Sequence, residues 1–111
     1  MENKNYGIVL VTVSSKDEAS SIAHTLIEES LVACVNVMPI NSVYRWRGEI
    51  CQEEEWQLII KTDLTLFERL ESKIRELHSY DVPEIIAIPI IKGSQPYLDW
   101  IKENLITSKN I

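Results

Sequence analysis

Residues 31–62, LVACVNVMPINSVYRWRGEICQEEEWQLIIKT, decide the fold because they predict one very long β-hairpin. Two β-rich segments flank Arg47 and Gly48, and Gly48 can take the positive φ that a two-residue turn requires. If these two residues form the turn, Tyr44 faces Cys51 across the hairpin. Each arm is then about 14 to 16 residues long, whereas strands usually have about five or six residues. A small domain cannot cover so long a hairpin, and this excess length is the first indication of function.

The first arm of the hairpin contains a proline and a cysteine. We expect a bulge or bend near Pro39, because proline cannot donate a hydrogen bond to the strand ladder. Cys34 lies in the apolar segment LVACVNV, which predicts a buried core residue. The register places Cys34 and Cys51 about ten residue pairs, or roughly 33 Å, apart. They are too distant for a disulfide within one chain, and two unpaired thiols indicate the reducing cytoplasm.

The rest of the chain predicts three helices and two further strands. Ser15 and Glu18 form the pattern of a capping box at the start of the first helix. The predicted segments are a strand at 7–13, a helix from 15 to about 30, a helix at 64–78, a strand at 84–91 and a helix starting at 93–94. Pro89 within the last strand indicates either a sheet edge or a bulge. We expect fraying beyond residue 106.

The order of these elements, βαββαβα, predicts an α+β fold. Two right-handed βαβ units joined by a hairpin give a ferredoxin-like βαββαβ sandwich, here extended by a C-terminal helix and by the unusually long hairpin. One antiparallel sheet is expected to carry helices on one face. The 111 residues are enough for one domain with a real core and too few for two, so we expect a single domain over residues 1–111.

Composition and motifs exclude several classes of function. Seventeen acidic and eleven basic residues give a net charge of −6, which argues against nucleic acid and anionic membranes as partners. The central strand, GIVLVTV, also lacks the stacking aromatic residues of an RNA-recognition module. No apolar segment approaches the ~18 residues of a membrane helix. The sequence has no Gly-rich phosphate loop, CxxC or HExxH motif, so we do not expect an enzyme.

The hairpin predicts a homo-oligomer. A helix of about 15 residues spans about 22 Å, whereas each hairpin arm spans about 50 Å. The distal half of the hairpin therefore has no helix of its own chain to cover it. Exposed aromatic strands with open edges favour pairing with another chain. We expect Tyr44, Trp46 and Trp56 to lie at that interface.

Candidate metal ligands are few in this sequence. His78 is the main candidate because Tyr80, Asp81 and Glu84 follow closely, and Glu84 is the second candidate. The glutamates at 53–55 are expected to lie on a solvated strand or at the rim of an interface between chains. Residues 14–16 could hold an anion at a helix N-terminus, although an ordinary helix cap explains the same residues.

Several motifs, in this order, resemble the CutA1 divalent-cation tolerance family. They are LVACVN at 31–36, SVYRWRG at 42–48, KT at 61–62, HSYDVPEII at 78–86 and YLDW at 97–100. The resemblance covers residues 6–105. It implies a ferredoxin-like fold, a homotrimer joined through the long hairpin, a role in tolerance of divalent metal ions with copper binding in some members, and no established catalytic activity.

The same family resembles the trimeric PII signalling proteins in architecture. This likeness implies an alternative function, namely a sensor that binds a small anionic ligand in clefts between subunits. Tyr80 and Lys61 are the candidate ligand-binding residues for that alternative.

The sequence departs from the family pattern at three positions. Ser79 stands where the family usually has proline between histidine and tyrosine. Some members carry a thiol on the first strand and a second histidine before the loop, and the corresponding residues here are Val11 and Leu77. A copper site built from a thiol and an imidazole therefore cannot be complete in this chain, and only His78 is carried over as a candidate ligand.

Overall fold

The order of elements confirms the predicted βαββαβα arrangement. The computed structural model describes residues 5–106, so the predicted fraying beyond Ile106 lies outside the described residues. The elements are β1 (Tyr6–Val13), α1 (Lys16–Glu28), β2 (Cys34–Trp46), β3 (Glu49–Asp63), a 3₁₀ turn (Leu64–Leu66), α2 (Phe67–Leu77), β4 (Ile85–Pro89) and α3 (Gln95–Glu103). Within residues 5–106, no helix is both long and apolar enough to cross a membrane.

The four strands form one antiparallel sheet in the order β2-β3-β1-β4. The apolar strand β1 lies between β3 and β4, as expected for an interior strand. The edges of the sheet are β2 and β4, which confirms the edge position predicted for the proline-containing last strand. Ser15 caps α1 by accepting a hydrogen bond from the Glu18 N–H, as the sequence predicts.

The hairpin register agrees with the prediction along its whole length. The pairs run without a shift from Cys34↔Lys61 near the base to Trp46↔Glu49 beside the turn. Arg47 has φ 53 and Gly48 has φ 83, so both turn residues are left-handed. This is the geometry of a type I′ turn, whose twist matches that of the flanking strands.

The prediction of a bulge near Pro39 is wrong. Pro39 pairs with Trp56 in the same register as its neighbours on both sides. The reason lies in the sheet order, because β2 is an edge strand and, among the described strands, borders only β3. An edge strand tolerates a residue without an N–H, so the ladder does not need to bend.

The two faces of the sheet have different surroundings, because paired residues point to the same side and successive residues to opposite sides. One face packs against α1 and α2 and forms the main core, which includes Val9, Val11, Leu58, Ile60, Ile22, Leu26, Leu70 and Ile74. We call the opposite side the open face, and its apolar residues include Ile8, Leu10, Ile59, Ile86 and Ile88. Ile86 is 49% exposed and Ile88 is 44% exposed. β1 is therefore fully buried on only one side within a single chain.

The helix α3 packs at the base of the hairpin in a second, smaller cluster. Ile101 and Leu105 are buried there against Ala33 and Leu66. Tyr97 and Trp100 of the same helix stack on each other and stay more than 40% exposed.

The prediction that Cys34 is a buried core residue is wrong. Cys34 is half-buried, because it pairs with Lys61 and therefore points to the open face instead of the side that packs against α1 and α2. Cys34 and Cys51 are both free thiols, in agreement with the predicted absence of an intrachain disulfide.

Candidate functional site

Residues 78–84 form the loop that joins α2 to β4, here called the 78–84 loop. They include His78, Tyr80 and Glu84, which are three of the four predicted metal- and ligand-binding residues. The loop begins at His78, the C-cap of α2. The His78 side chain is 0% exposed. Its Nε2 lies 2.7 Å from the main-chain oxygen of Thr12, and its Nδ1 lies 3.0 Å from the Tyr80 N–H nitrogen.

The partners of His78 determine its tautomer. The Thr12 carbonyl only accepts hydrogen bonds and the Tyr80 N–H only donates, so the ring is neutral with its proton on Nε2. Both ring nitrogens are thus occupied by protein groups. A metal ion could bind His78 only in exchange for one of these hydrogen bonds.

Glu18 connects the first turn of α1 to the 78–84 loop. Its Oε2 accepts the Ser79 N–H at 2.9 Å, and its Oε1 accepts the Ser79 hydroxyl at 3.0 Å and the Ser14 hydroxyl at 3.1 Å. His78 Nδ1 lies 3.6 Å from Oε2. Partial burial raises the pKa of Glu18, but the hydrogen bonds from Ser79 and Ser14 outweigh this effect. The net effect is a pKa below the ordinary glutamate value.

The carboxylate of Glu18 lies where residues 14–16 were considered as an anion site. Ser14 donates to Glu18, and Ser15 accepts the Glu18 N–H at 3.0 Å. The start of α1 is therefore already supplied with an anionic group from its own chain. An external anion would have to compete with it.

Tyr80 holds a buried carboxylate on β3. Its hydroxyl donates to Glu55 Oε2 at 2.7 Å, and Glu55 is only 7% exposed. Burial and the hydrogen bond to Glu55 raise the pKa of Tyr80 well above the ordinary tyrosine value. A second pair lies two residues along the strand, where the exposed Tyr44 hydroxyl donates to Glu53 at 2.6 Å.

The burial of Glu55 was not expected from the run of three glutamates. Strand alternation indicates that Glu53 and Glu55 share a face. The sequence does not show that Tyr80, 25 positions away, covers one of them. That contact depends on the path of the 78–84 loop.

Thr12 links the two predicted metal ligands. Its hydroxyl donates to Glu84 Oε1 at 3.1 Å, while its main-chain oxygen accepts from His78. Glu84 is exposed. Among residues 5–106, however, no group of three or more His, Cys, Asp or Glu side chains is placed to hold a metal ion. The described part of one chain therefore does not form a closed metal site.

The structure keeps the two predicted ligand-binding residues apart. Tyr80 contacts Glu55, whereas Lys61 lies six positions further along β3, or about 20 Å away. The Lys61 ammonium donates to Asn36 on the neighbouring strand. The two residues do not form a common pocket within one chain.

Two of the three predicted interface aromatics are exposed near the tip of the hairpin. Tyr44 is 36% exposed and Trp46 is 55% exposed, with the Arg47 guanidinium 5.5 Å from the Trp46 ring. Trp56 has a different position, since it packs against the main core with the Lys16 ammonium 5.8 Å above its ring. Trp56 is thus a packing residue of its own chain.

Val11 and Leu77 stand where some family members have a thiol and a second histidine, and both lie in or against the core. Val11 is 0% exposed within the main core, and Leu77 packs against the same cluster. Ser79, which replaces the usual proline, supplies the N–H that Glu18 accepts. Proline could not supply it.

Comparison with known proteins shows similarity over almost the whole chain. Residues 7–104 match the CutA1 divalent ion tolerance protein family. The divalent-cation tolerance protein CutA of Thermus thermophilus is 47% identical over 98 residues, which are 87% of this chain and 95% of that protein. The chloroplastic protein CutA of Arabidopsis thaliana is 44% identical over 98 residues, and these span only 54% of its length.

A solved structure supports the same relationship at the level of the fold. The periplasmic divalent cation tolerance protein CutA from Archaeoglobus fulgidus superposes on this chain with a TM-score of 0.88 and 39% identity. The superposition covers 89% of this chain and 97% of that one.

Proposed function

The chain belongs to the CutA1 divalent ion tolerance family, and from this membership we propose that it acts as a homotrimer that binds divalent cations weakly at its subunit boundaries. Its general role is the tolerance of divalent cations. We further propose a cytoplasmic location, which the two free thiols support, and an action by binding instead of catalysis. The strand order β2-β3-β1-β4 supports placing the fold in the ferredoxin-like class.

The main support for the proposed trimer is the exposed apolar surface of the open face. Ile86 and Ile88 are nearly half exposed on β4, beside Ile8 and Leu10 of β1. Four apolar side chains on adjacent strands form a continuous surface, and such surfaces on small soluble proteins usually mark an interface. A second and third copy on this face would remove it from water.

The hairpin supplies a second argument for assembly. β1 pairs with β3 only up to Trp56, so within residues 5–106 the part of β3 from Glu55 to Glu49 has β2 as its one neighbouring strand. Beyond that point both sides of the hairpin carry unpaired strand edges. Closed cyclic assembly satisfies such edges without producing open fibres.

The molar mass in solution tests the proposed assembly. One chain has a mass of 12.8 kDa. We expect sedimentation equilibrium or light scattering at micromolar concentration to give about three times this value, the mass of the homotrimer that the family resemblance implies. A mass equal to one chain would refute the homotrimer.

The proposed cation binding depends on carboxylates instead of on His78. Both nitrogens of His78 are occupied, whereas Glu84 is exposed and only its Oε1 accepts a hydrogen bond among the described residues. One carboxylate is too small a ligand set for a tight site. We therefore propose that Glu84 contributes to a weak site that is completed by a neighbouring copy, with Cu²⁺ as the cation to test.

Calorimetric titration with Cu²⁺ tests the role of Glu84. We expect Glu84→Gln to weaken binding by about tenfold, since loss of a group that supports a metal site typically costs this much or more. Glu54→Gln, an exposed charge-matched change on the hairpin, should bind like the wild type. Equal affinity of the wild type and Glu84→Gln would remove Glu84 from the site.

The alternative of a PII-like sensor gains no support from these observations. Its candidate residues Lys61 and Tyr80 are each bonded to a different side chain, and the partner of Tyr80, Glu55, lies about 20 Å along β3 from Lys61.

A further inference from the structure

Thr12 is the last open-face residue of β1 and contacts both ends of the 78–84 loop. Successive residues of a strand point to opposite sides, so Thr12 shares the open face with Leu10. Its hydroxyl donates to Glu84 Oε1 at 3.1 Å, and its main-chain oxygen lies 2.7 Å from His78 Nε2. The side chain of Thr12 therefore serves Glu84, while its main chain serves His78.

The register of the sheet sets Thr12 opposite Glu84. The last pair between β1 and β4 is Val11↔Ile85. One step further in the same antiparallel register, Thr12 and Glu84 are cross-strand neighbours, and the side chains of such neighbours lie on one face within reach of each other. The hydrogen bond between them thus continues the pairing of β1 with β4 beyond the last pair of the ladder.

The two partners of this hydrogen bond differ in freedom. Thr12 is only 7% exposed, and the branched Cβ of threonine restricts its χ1 angle. The direction of the Thr12 hydroxyl is therefore set by the strand. Glu84 is exposed, and an exposed glutamate side chain has many accessible rotamers unless a partner selects one of them. The stiff, buried residue thus orients the flexible, exposed one.

We propose that Thr12 is a positioning residue for the Glu84 cation site, because its hydroxyl holds Oε1 and leaves Oε2 available for the cation. This inference rests on the proposed function, since it states how the Glu84 carboxylate is oriented for binding. Groups that hydrogen-bond to a metal ligand orient that ligand, and their loss typically lowers metal affinity by about tenfold to about a hundredfold.

Calorimetric titration of the full-length protein with Cu²⁺ tests the Thr12 hydroxyl. Thr12→Val replaces the hydroxyl with a methyl group and keeps the main-chain oxygen that His78 uses. We expect Thr12→Val to weaken Cu²⁺ binding by about tenfold, the lower end of the range for a group that orients a metal ligand. Thr12→Ser restores a hydroxyl and should bind close to the wild type.

Thr65→Val is the matched control for Thr12→Val. The Thr65 hydroxyl also donates to a carboxylate, Asp63 Oδ1, at 2.7 Å. Asp63 pairs with Tyr6, at the opposite end of β1 from Thr12. The same chemical change at this distant place should leave Cu²⁺ binding as in the wild type.

A double variant separates positioning from a general effect on the fold. If Thr12 acts through Glu84, Thr12→Val should have little further effect on Cu²⁺ affinity once Glu84→Ala is present, because groups that act through one contact are not additive. Damage to the fold would instead add to the loss caused by Glu84→Ala.

The metal-free protein provides a second measurement. Three-bond NMR couplings of the side chain report the χ1 angle of Glu84. We expect one rotamer in the wild type and in Thr65→Val, and an average over several rotamers in Thr12→Val.

The outcomes that would overturn this inference differ from those that would refute the proposed function. Unchanged Glu84 couplings in Thr12→Val, or equal Cu²⁺ affinity of Thr12→Val and the wild type, would overturn the positioning role. The Glu84 site would still stand if Glu84→Gln weakened binding. Absence of Cu²⁺ binding by the wild type would refute the proposed site itself, and the positioning role with it.

Discussion

Replacing Ile88 by lysine is expected to convert the protein from three chains to one. Ile88 is 44% exposed on the open face, where a neighbouring copy would cover it in the proposed trimer. A lysine at this position would place an unpaired charge against apolar side chains, and the desolvation of an unpaired charge costs several kcal/mol. That cost is repeated in each of the three symmetric interfaces. The molar mass at micromolar concentration should fall to that of a single chain.

Ile27→Lys is the matched control for Ile88→Lys. Ile27 has almost the same exposure, 43%, but lies on α1, away from the open face. We expect this variant to keep the mass of the wild type. If Ile88→Lys also keeps that mass, the open face is not the interface.

Tyr80→Phe is expected to lower the free energy of unfolding by about 1–3 kcal/mol, the usual cost of leaving a buried polar group without its partner. The Tyr80 hydroxyl is the donor to Glu55, which is only 7% exposed. Phenylalanine keeps the ring and removes only the hydroxyl, so the carboxylate loses this bond inside the fold. Chemical denaturation at matched protein concentration measures the change.

Tyr44→Phe is the control for this effect because the same bond is broken at an exposed position. The Tyr44 hydroxyl donates to Glu53 at 2.6 Å in contact with water, so water can replace it. We expect little or no change in stability. A loss as large for Tyr44→Phe as for Tyr80→Phe would show that the burial of Glu55 is not the cause.

The pH dependence of the free energy of unfolding at alkaline pH provides a further test of the role of Tyr80. Burial and the bond to Glu55 raise its pKa in the folded protein. Its contribution is therefore complete below the ordinary tyrosine value of about 10 and is lost as the pH rises toward the higher folded value. Tyr80→Phe should remove this part of the alkaline decline.

The hairpin could be predicted from sequence because its information is local. Gly48 marks the turn, and a fixed turn sets every pair along both arms, including Tyr44 with Cys51. The bulge at Pro39 was predicted wrongly because the effect of a proline depends on whether its strand lies at an edge. Sheet order decides that, and it arises from contacts outside the hairpin.

The contacts of the 78–84 loop could not be predicted in the same way. The pattern of Ser15 and Glu18 indicates a capping box, but the carboxylate is attracted to two donors on Ser79. His78 stands in a recognisable motif, but the motif does not show that Thr12 and Tyr80 occupy both nitrogens. Such competition between partners is settled by the path of the loop in three dimensions.

The unbroken register of the hairpin has a consequence for how the chain folds. Its pairs can form in succession from the turn, each new pair closing only a slightly larger loop than the last, so the entropy of closure rises slowly. The pairing of β1 with β4 joins residues from opposite ends of the chain, such as Ile8 and Ile88. Because contacts of high sequence separation slow folding, we infer that the hairpin closes first as a zipper and that closure of β4 on β1 limits the folding rate.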